Sequence, residues 1–255
     1  MTGQQSQWQT KELAQAFLQG VRGAIPGANL QLEVISKILD LWRPQPSRIL
    51  DLGCGDGVLG RFLLDRYPTA HVTFVDFSEP MLEALHEQIG DTQRATVIKA
   101  DFGTRAWADA LRDEEVLDVV VSGFSIHHQP NHRKKELYAE IYALLGEKGV
   151  FLNLEHVSSA LPSGEALFDS FFVDHLVRFH RDANPRKTRQ EIEEAYYRRP
   201  DKKENILASV ETQCQWLCHI GFQDVDCFFK VFELALFGGR KVSIQENSCD
   251  SRRRS

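Results

Sequence analysis

The sequence predicts an α/β fold built on a doubly wound, mostly parallel sheet, and three observations carry that prediction. Short apolar runs alternate with amphipathic stretches from Arg48 to Leu154, the rhythm of βαβ units. The runs are nearly all apolar, as in Leu117-Asp118-Val119-Val120-Val121, which suits strands covered by helices on both faces. Glycines crowd the turn after the first run, Gly53-Cys54-Gly55-Asp56-Gly57, where a strand must reverse sharply into a helix.

The first segment, roughly 8–42, carries two helices: Leu13, Phe17 and Val21 recur at helical spacing, then Leu32, Ile35, Ile38 and Leu39. Ile25-Pro26-Gly27-Ala28-Asn29 separates them, because proline and glycine punctuate helices. Strands are expected at Arg48–Leu52, His71–Asp76, Thr96–Ala100, Leu117–Ser122 and Val150–Leu154, with helices opening near Val58, Glu79, Thr104 and His132. From Ser158 to Asn205 the chain turns polar and aromatic, with Phe168, Phe171, Phe172, Phe179, Tyr196 and Tyr197. A helical cap inserted over the sheet edge is expected there. A helix over Val210–Ile220 then leads to Val225–Phe232 and Leu234–Phe237, an antiparallel hairpin that brings the sheet to seven strands. The expected organisation is one domain over residues 1–244 and a disordered tail over 245–255.

Composition bounds the function. With 255 residues, 42% hydrophobic and 26% charged, the chain can bury a sizeable core. No apolar run reaches spanning length and the start, Met1-Thr2-Gly3-Gln4-Gln5, is polar, so neither a membrane span nor a signal peptide is indicated. Five cysteines, an odd number, point to the reducing cytoplasm rather than a disulfide framework. The net charge of −6 weighs against a nucleic-acid partner, and Arg186-Lys187, Arg198-Arg199 and Lys202-Lys203 read as solvated helical surface. Monomer and homodimer both stay open.

The glycine turn narrows the ligand. A dinucleotide site places Gly-x-Gly-x-x-Gly here to seat a pyrophosphate on the helix N-terminus. This chain has Gly53-x-Gly55-x-Gly57, with Val58 where the third dinucleotide glycine would stand. Asp51, just inside the strand end, repels a pyrophosphate and suits a cofactor that carries an ammonium and a sulfonium.

Ile49-Leu50-Asp51-Leu52-Gly53-Cys54-Gly55-Asp56-Gly57 resembles the glycine-rich first motif of class I S-adenosylmethionine (SAM)-dependent methyltransferases, and the likeness runs from Arg48 to Val157. It implies a Rossmann-like fold, SAM as cofactor, and methyl transfer. It implies that Asp51, Gly53, Cys54, Gly55 and Gly57 form the cofactor turn and that Asp76 hydrogen-bonds both ribose hydroxyls. Phe77 and Met81 correspond to residues flanking the adenine, and Asp101 and Phe102 to contacts with its amino group and ring. Core packing is the alternative for Phe77, Met81 and Phe102. Ser122-Gly123-Phe124 marks the strand end where donor and acceptor meet.

A second resemblance runs along almost the whole chain. Arg22-x-x-Ile25-Pro26-Gly27-x-Asn29, Ser209-Val210-Glu211-Thr212 and Phe228–Phe237 are similar to carboxy-SAM synthase, which supplies carboxy-SAM for wobble-uridine modification in bacterial tRNA. It implies an arginine in the insertion, Arg198 or Arg199, that pairs with the carboxylate of the modified cofactor. Two departures favour a methyltransferase cousin: Ala28 replaces a tyrosine, and the Gly-Asp-Gly turn is richer in glycine.

Methyl transfer from a sulfonium asks chiefly for orientation and exclusion of water, with a base needed when the acceptor loses a proton. His127 and His128, in Ser125-Ile126-His127-His128-Gln129-Pro130, are candidates to hold or deprotonate an acceptor; capping and packing of the next helix is the alternative. Glu155 and His156, at the end of the fifth strand, face the same cleft. His127, His128 and His132 have no carboxylate or cysteine at ligand spacing, so no metal is expected. Cys214 and Cys218, at i and i+4, read as packing residues. Three functions compete: a methyltransferase whose cap encloses a small-molecule acceptor, a carboxy-SAM synthase-like or tRNA-modifying enzyme, and a SAM-binding module without catalysis. The first leads.

Overall fold

The computed structural model describes residues 22–111, 116–183 and 187–242; the expected helix around Leu13–Val21 and the tail from 245 lie outside the described residues. Helix α1 (Ala28–Trp42) begins directly after Pro26-Gly27 and turns Ile35 and Leu39 inward. Strand β1 (Arg48–Leu52), helix α2 (Val58–Arg66), β2 (His71–Asp76), α3 (Glu79–Ile89) and β3 (Ala95–Lys99) form the first half of the sheet. The second half is β4 (Leu117–Gly123), α4 (Asn131–Leu144) and β5 (Leu145–His156). Helices α5 (Gly164–Ala183) and α6 (Arg189–Arg198) and a 3-10 turn (Pro200–Glu204) form the cap, and α7 (Val210–Ile220), β6 (Gln223–Val231) and β7 (Leu234–Arg240) close the chain.

The seven strands run in the order β3-β2-β1-β4-β5-β7-β6. The first five pair in parallel, and β7 lies antiparallel between β5 and β6. Strand order reverses between β1 and β4, and in open α/β sheets ligands bind at such a switch, outside the carboxyl ends of the strands. Helices cover both faces. Leu50, Val120, Phe151 and Phe237 point into one core layer with Tyr138 and Leu217, while Ile49, Val119, Val121 and Leu152 point into the other with Leu39 and Leu63. Alternate residues of each strand thus serve opposite layers, which is why the strands read as continuous apolar runs.

Four expectations shift. The third strand begins one residue earlier, because Ala95 pairs with Val72. The helix expected from Thr104 is, among the described residues, a 3-10 turn over Arg105–Leu111 anchored by buried Trp107 and Leu111. β5 and β7 run longer than their apolar stretches, since beyond the apolar part the Lys148 N–H donates to the Lys241 carbonyl and the Lys241 N–H to the Gly149 carbonyl. The cap stands over the carboxyl ends of β4 and β5 rather than the sheet edge. Phe168, Phe172 and Leu176 recur at four-residue spacing on α5, and their apolar stripe meets Leu234, which pairs with His156 at the end of β5, and Phe124, just past β4.

Candidate active site

The turn from Gly53 to Gly57 explains its own composition. Gly53, Gly55 and Gly57 all have positive φ, at 66°, 56° and 81°. At Gly53 close approach adds a second demand, for a Cβ there would lie 2.2 Å from Ser125 Oγ and 3.0 Å from the Phe102 ring. At Gly55 a Cβ would meet nothing within 4 Å, so the backbone faces open space where a ligand can approach it. Backbone N–H groups of Gly53 and Cys54 both donate to the Val75 carbonyl, at 2.7 and 3.0 Å, which fastens the turn to the end of β2.

Two buried carboxylates flank this cradle. Asp51 accepts from the Gly60 N–H in the first turn of α2 at 2.7 Å. Asp76 accepts from Gly55 N–H at 2.9 Å and from Ser78 N–H at 2.8 Å. Burial raises the Asp76 pKa above the ordinary carboxylate value, and the N–H donors of Ser78, Gly55 and Phe77 oppose that shift. Burial also raises the Cys54 thiol well above its ordinary value, with Asp51 and Asp76 adding to the effect, so Cys54 stays a neutral thiol in the turn. Phe77 is half-buried and Asp101 exposed at the rim, where Asp101 accepts from Gly103 N–H at 2.7 Å. Met81 and Phe102 are buried, and Phe102 packs with Leu50, Leu52 and Trp107. Ser122 donates to the Leu52 carbonyl at 2.7 Å and lies 2.9 Å from Ser125 Oγ, while Gly123 ends β4. The cradle fits SAM: the open face over Gly55 admits a ligand, and paired carboxylates suit an ammonium and a ribose diol.

Next to the cradle, the turn Ile126–His128 carries His127 against β5. His127 Nδ1 lies 2.6 Å from Glu155 Oε1, and both side chains are buried. Burial pushes the Glu155 carboxyl up to about 7, against the His156 N–H that favours its ionised form. Burial drives His127 well below the ordinary imidazole value, aided by the charges of His156, Lys134 and Arg199. His128 packs on His127 with centroids 3.9 Å apart and rings tilted by 44°, and is lowered to about 3, again chiefly by burial. Glu155 Oε2 is buried without a hydrogen-bond partner. His156 Nε2 meets Glu233 Oε2 at 3.0 Å. Among the described residues, no group of three or more His, Cys, Asp or Glu is arranged to hold a metal ion.

The structure thus gathers the predicted residues into two adjoining groups: the glycine cradle and the Glu155–His127 pair. Sequence reading missed Lys134, Asn205 and Glu233, which surround that pair. Glu233 had a signal, a lone acid in the apolar run Val231-Phe232-Glu233-Leu234-Ala235-Leu236. Asn205 had none. Of the two insertion arginines, Arg198 is exposed beside Glu194, whereas Arg199 stacks over the Tyr196 ring at 4.5 Å and its charge acts on His127.

A glycine cradle stands at the switch between β1 and β4, flanked by acids on β1 and β2, on a Rossmann-like sheet. Residues 49–149 match the family model described as a methyltransferase domain. Over that segment the chain is similar to methyltransferase domains. Malonyl-[acyl-carrier protein] O-methyltransferase of Geobacter sulfurreducens is 33% identical over 144 residues, 55% of this chain and 51% of the relative. The chain thus spans about half the length of that relative. Carboxy-S-adenosyl-L-methionine synthase of Haemophilus ducreyi is 22% identical over 93% of this chain and 91% of its own length. Human N-acetylserotonin methyltransferase, in complex with SAM, superposes with a TM-score of 0.59 at 15% identity, covering 92% of this chain and 58% of the human one. That likeness shows the fold. Among the described residues no helix is long and apolar enough to cross a membrane.

Proposed function

We propose that the protein transfers a methyl group from SAM to a small-molecule acceptor, with His127 as general base and Glu155 as its orienting partner. The observation that carries this reading is the 2.6 Å contact between His127 Nδ1 and Glu155 Oε1, buried beside the cofactor cradle at the carboxyl ends of β4 and β5. SAM, when bound, supplies an electrophilic methyl on a sulfonium. Asp76 holds the ribose diol through its remaining lone pairs, Asp51 draws the ammonium, and Phe77 and Asp101 frame the adenine at the rim. Gly53, Gly55 and Gly57 let the backbone approach the ligand, while Met81 and Phe102 support the site from the core. His127, uncharged at neutral pH, takes the acceptor's proton as the acceptor atom bonds to the methyl and the carbon–sulfur bond breaks. The Nδ1–H to Glu155 fixes its orientation and shares the new charge. His128 packs on this imidazole and keeps water from it.

A small acceptor fits the charge distribution better than tRNA. Arg189 pairs with Asp174 and Glu193, Arg198 with Glu194, and Lys202 with Glu165 and Asp169, so the basic run of the cap is largely offset by acids. The reading places the reaction in the cytoplasm, consistent with the free thiols of the described cysteines Cys54, Cys214, Cys218 and Cys227. Native mass spectrometry of protein purified without added cofactor tests it. Retained SAM or S-adenosylhomocysteine, followed by methyl transfer in an acceptor panel, is the expected result. A protein that retains nothing and ignores added SAM refutes it. A second reading, carboxy-SAM chemistry, is favoured by the near full-length likeness to the Haemophilus ducreyi enzyme and by Arg199 beside the site. A retained ligand heavier than SAM by one carboxylate would promote it.

A further inference from the structure

Beside the Glu155–His127 pair stand two features that take no part in the proton transfer itself: Lys134 on α4, and the strap 204–208 that joins the cap to α7. Lys134 is 1% exposed, although lysine is almost never fully buried unless paired. Its ammonium donates to the Ile206 carbonyl in the strap and to Asn131 Oδ1 at 3.3 Å. The strap is stitched to the site from the other side as well. Ile206 N–H donates to the His127 carbonyl at 2.9 Å, the Ser158 N–H just after β5 donates to the Ala208 carbonyl at 3.1 Å, and the Asn205 carboxamide lies 3.5 Å from His156 Nδ1.

Both hydrogen-bond partners of the Lys134 ammonium are neutral, so its charge is left to act on the pair beside it. Burial lowers the Lys134 pKa while Glu155 raises it, and in return Lys134 favours ionised Glu155 and opposes a positive His127. The other groups facing His127 are His128 on its own turn, Glu155 and His156 on β5, Arg199 after α6, and Asn205 in the strap. Glu155 faces His128, His156 and the Tyr138 hydroxyl as well. His156 is offset by Glu233 at 3.0 Å, and Arg199 is spread over the Tyr196 ring. Lys134 is the buried cation whose charge meets no carboxylate except Glu155 among the contacts described.

We propose that Lys134 is a positioning residue: it fastens the 204–208 strap to α4 and, standing beside Glu155, holds His127 as the uncharged imidazole that proton transfer requires. The role rests on reading His127 as the base, but its test does not need an acceptor. Histidine-labelled wild-type, Lys134→Met and Lys134→Arg proteins are titrated by heteronuclear NMR, and SAM affinity is measured by calorimetry on the same samples. In the wild type, His127 stays neutral well below its ordinary 6.5. In Lys134→Met its midpoint rises by about one pH unit, the size expected for loss of one nearby buried charge. Lys134→Arg returns it toward the wild type, and SAM affinity stays within about twofold, because Lys134 is outside the cradle. An unmoved midpoint in Lys134→Met, or Lys134→Arg behaving like the methionine variant, overturns the proposal. Should Lys134→Met fail to fold, Lys134→Gln, which keeps a donor for the Ile206 carbonyl and removes the charge, takes its place: a His127 midpoint raised by about one pH unit supports the proposal and an unmoved one overturns it. A protein that binds no SAM yet shows the His127 shift keeps the positioning role and removes the methyltransferase reading.

Discussion

Replacing Glu155 with glutamine should make the protein lose stability toward acid in a window where the wild type holds steady. In the folded state Glu155 titrates near 7, raised from 4.5, while His127 lies well below 6.5. Between those ordinary values the folded pair keeps one proton, on the carboxyl side of the 2.6 Å contact. The unfolded chain also carries one, on its imidazole, so this pair contributes no slope there. Taken singly, the two groups pull in opposite directions. The raised Glu155 contributes stability below 4.5 that is lost as pH rises toward about 7. The depressed His127 contributes stability above 6.5 that is lost as pH falls toward its folded value. Glu155→Gln removes the first group and exposes the second, because burial, His156, Lys134 and Arg199, rather than Glu155, hold His127 down. Stability of the variant should therefore fall by up to about 1.4 kcal/mol per pH unit below neutrality. His127→Gln should show the mirror image, losing on the order of 2–4 kcal/mol as pH rises from acid to neutral. Urea denaturation at closely spaced pH values measures both slopes. Glu155→Gln running parallel to the wild type through the window would mean that His127 protonates freely inside the fold, and the account of the pair would fail.

Asp76→Ala should weaken SAM binding by more than about tenfold in a calorimetric titration, the worth of a bidentate charge-assisted contact, while the far-ultraviolet spectrum stays the same. Unchanged affinity removes the ribose assignment. Gly53→Ala places a methyl 2.2 Å from Ser125 Oγ at a backbone φ of 66°, and should cost on the order of 1–3 kcal/mol. Adding Ser125→Gly should recover the steric part and leave the backbone part; no recovery in thermal denaturation contradicts the contact. Tyr138→Phe strips a buried hydroxyl that donates to Gln213 Oε1 at 2.6 Å and accepts from Asn153 Nδ2 at 3.2 Å, for a loss of about 1–3 kcal/mol. A variant as stable as the wild type would show that this link between α4, β5 and α7 is dispensable.

The sequence by itself determined the sheet, the glycine turn and the acids around it. Each of these is local. A strand covered on both faces must be apolar throughout, as Val119-Val120-Val121 is, and a turn with φ of 66° and 56° selects glycine at Gly53 and Gly55 wherever the rest of the chain goes. Asp51 and Asp76 follow, because strand ends on neighbouring parallel strands lie side by side. The Glu155–His127 pair was half legible: both residues stood out as polar groups at strand ends, but nothing in their spacing of 28 residues set the 2.6 Å contact. That distance arises because β4 and β5 are neighbours in parallel register, with Gly123 opposite Leu154. Only the tertiary structure decided where the cap sits, that Arg199 rather than Arg198 acts on the site, and that Lys134 and Asn205 close around His127. These depend on burial and on contacts between distant segments. A lysine on an amphipathic helix looks the same in sequence whether water or a strap carbonyl receives its ammonium, and the fold alone chooses between them.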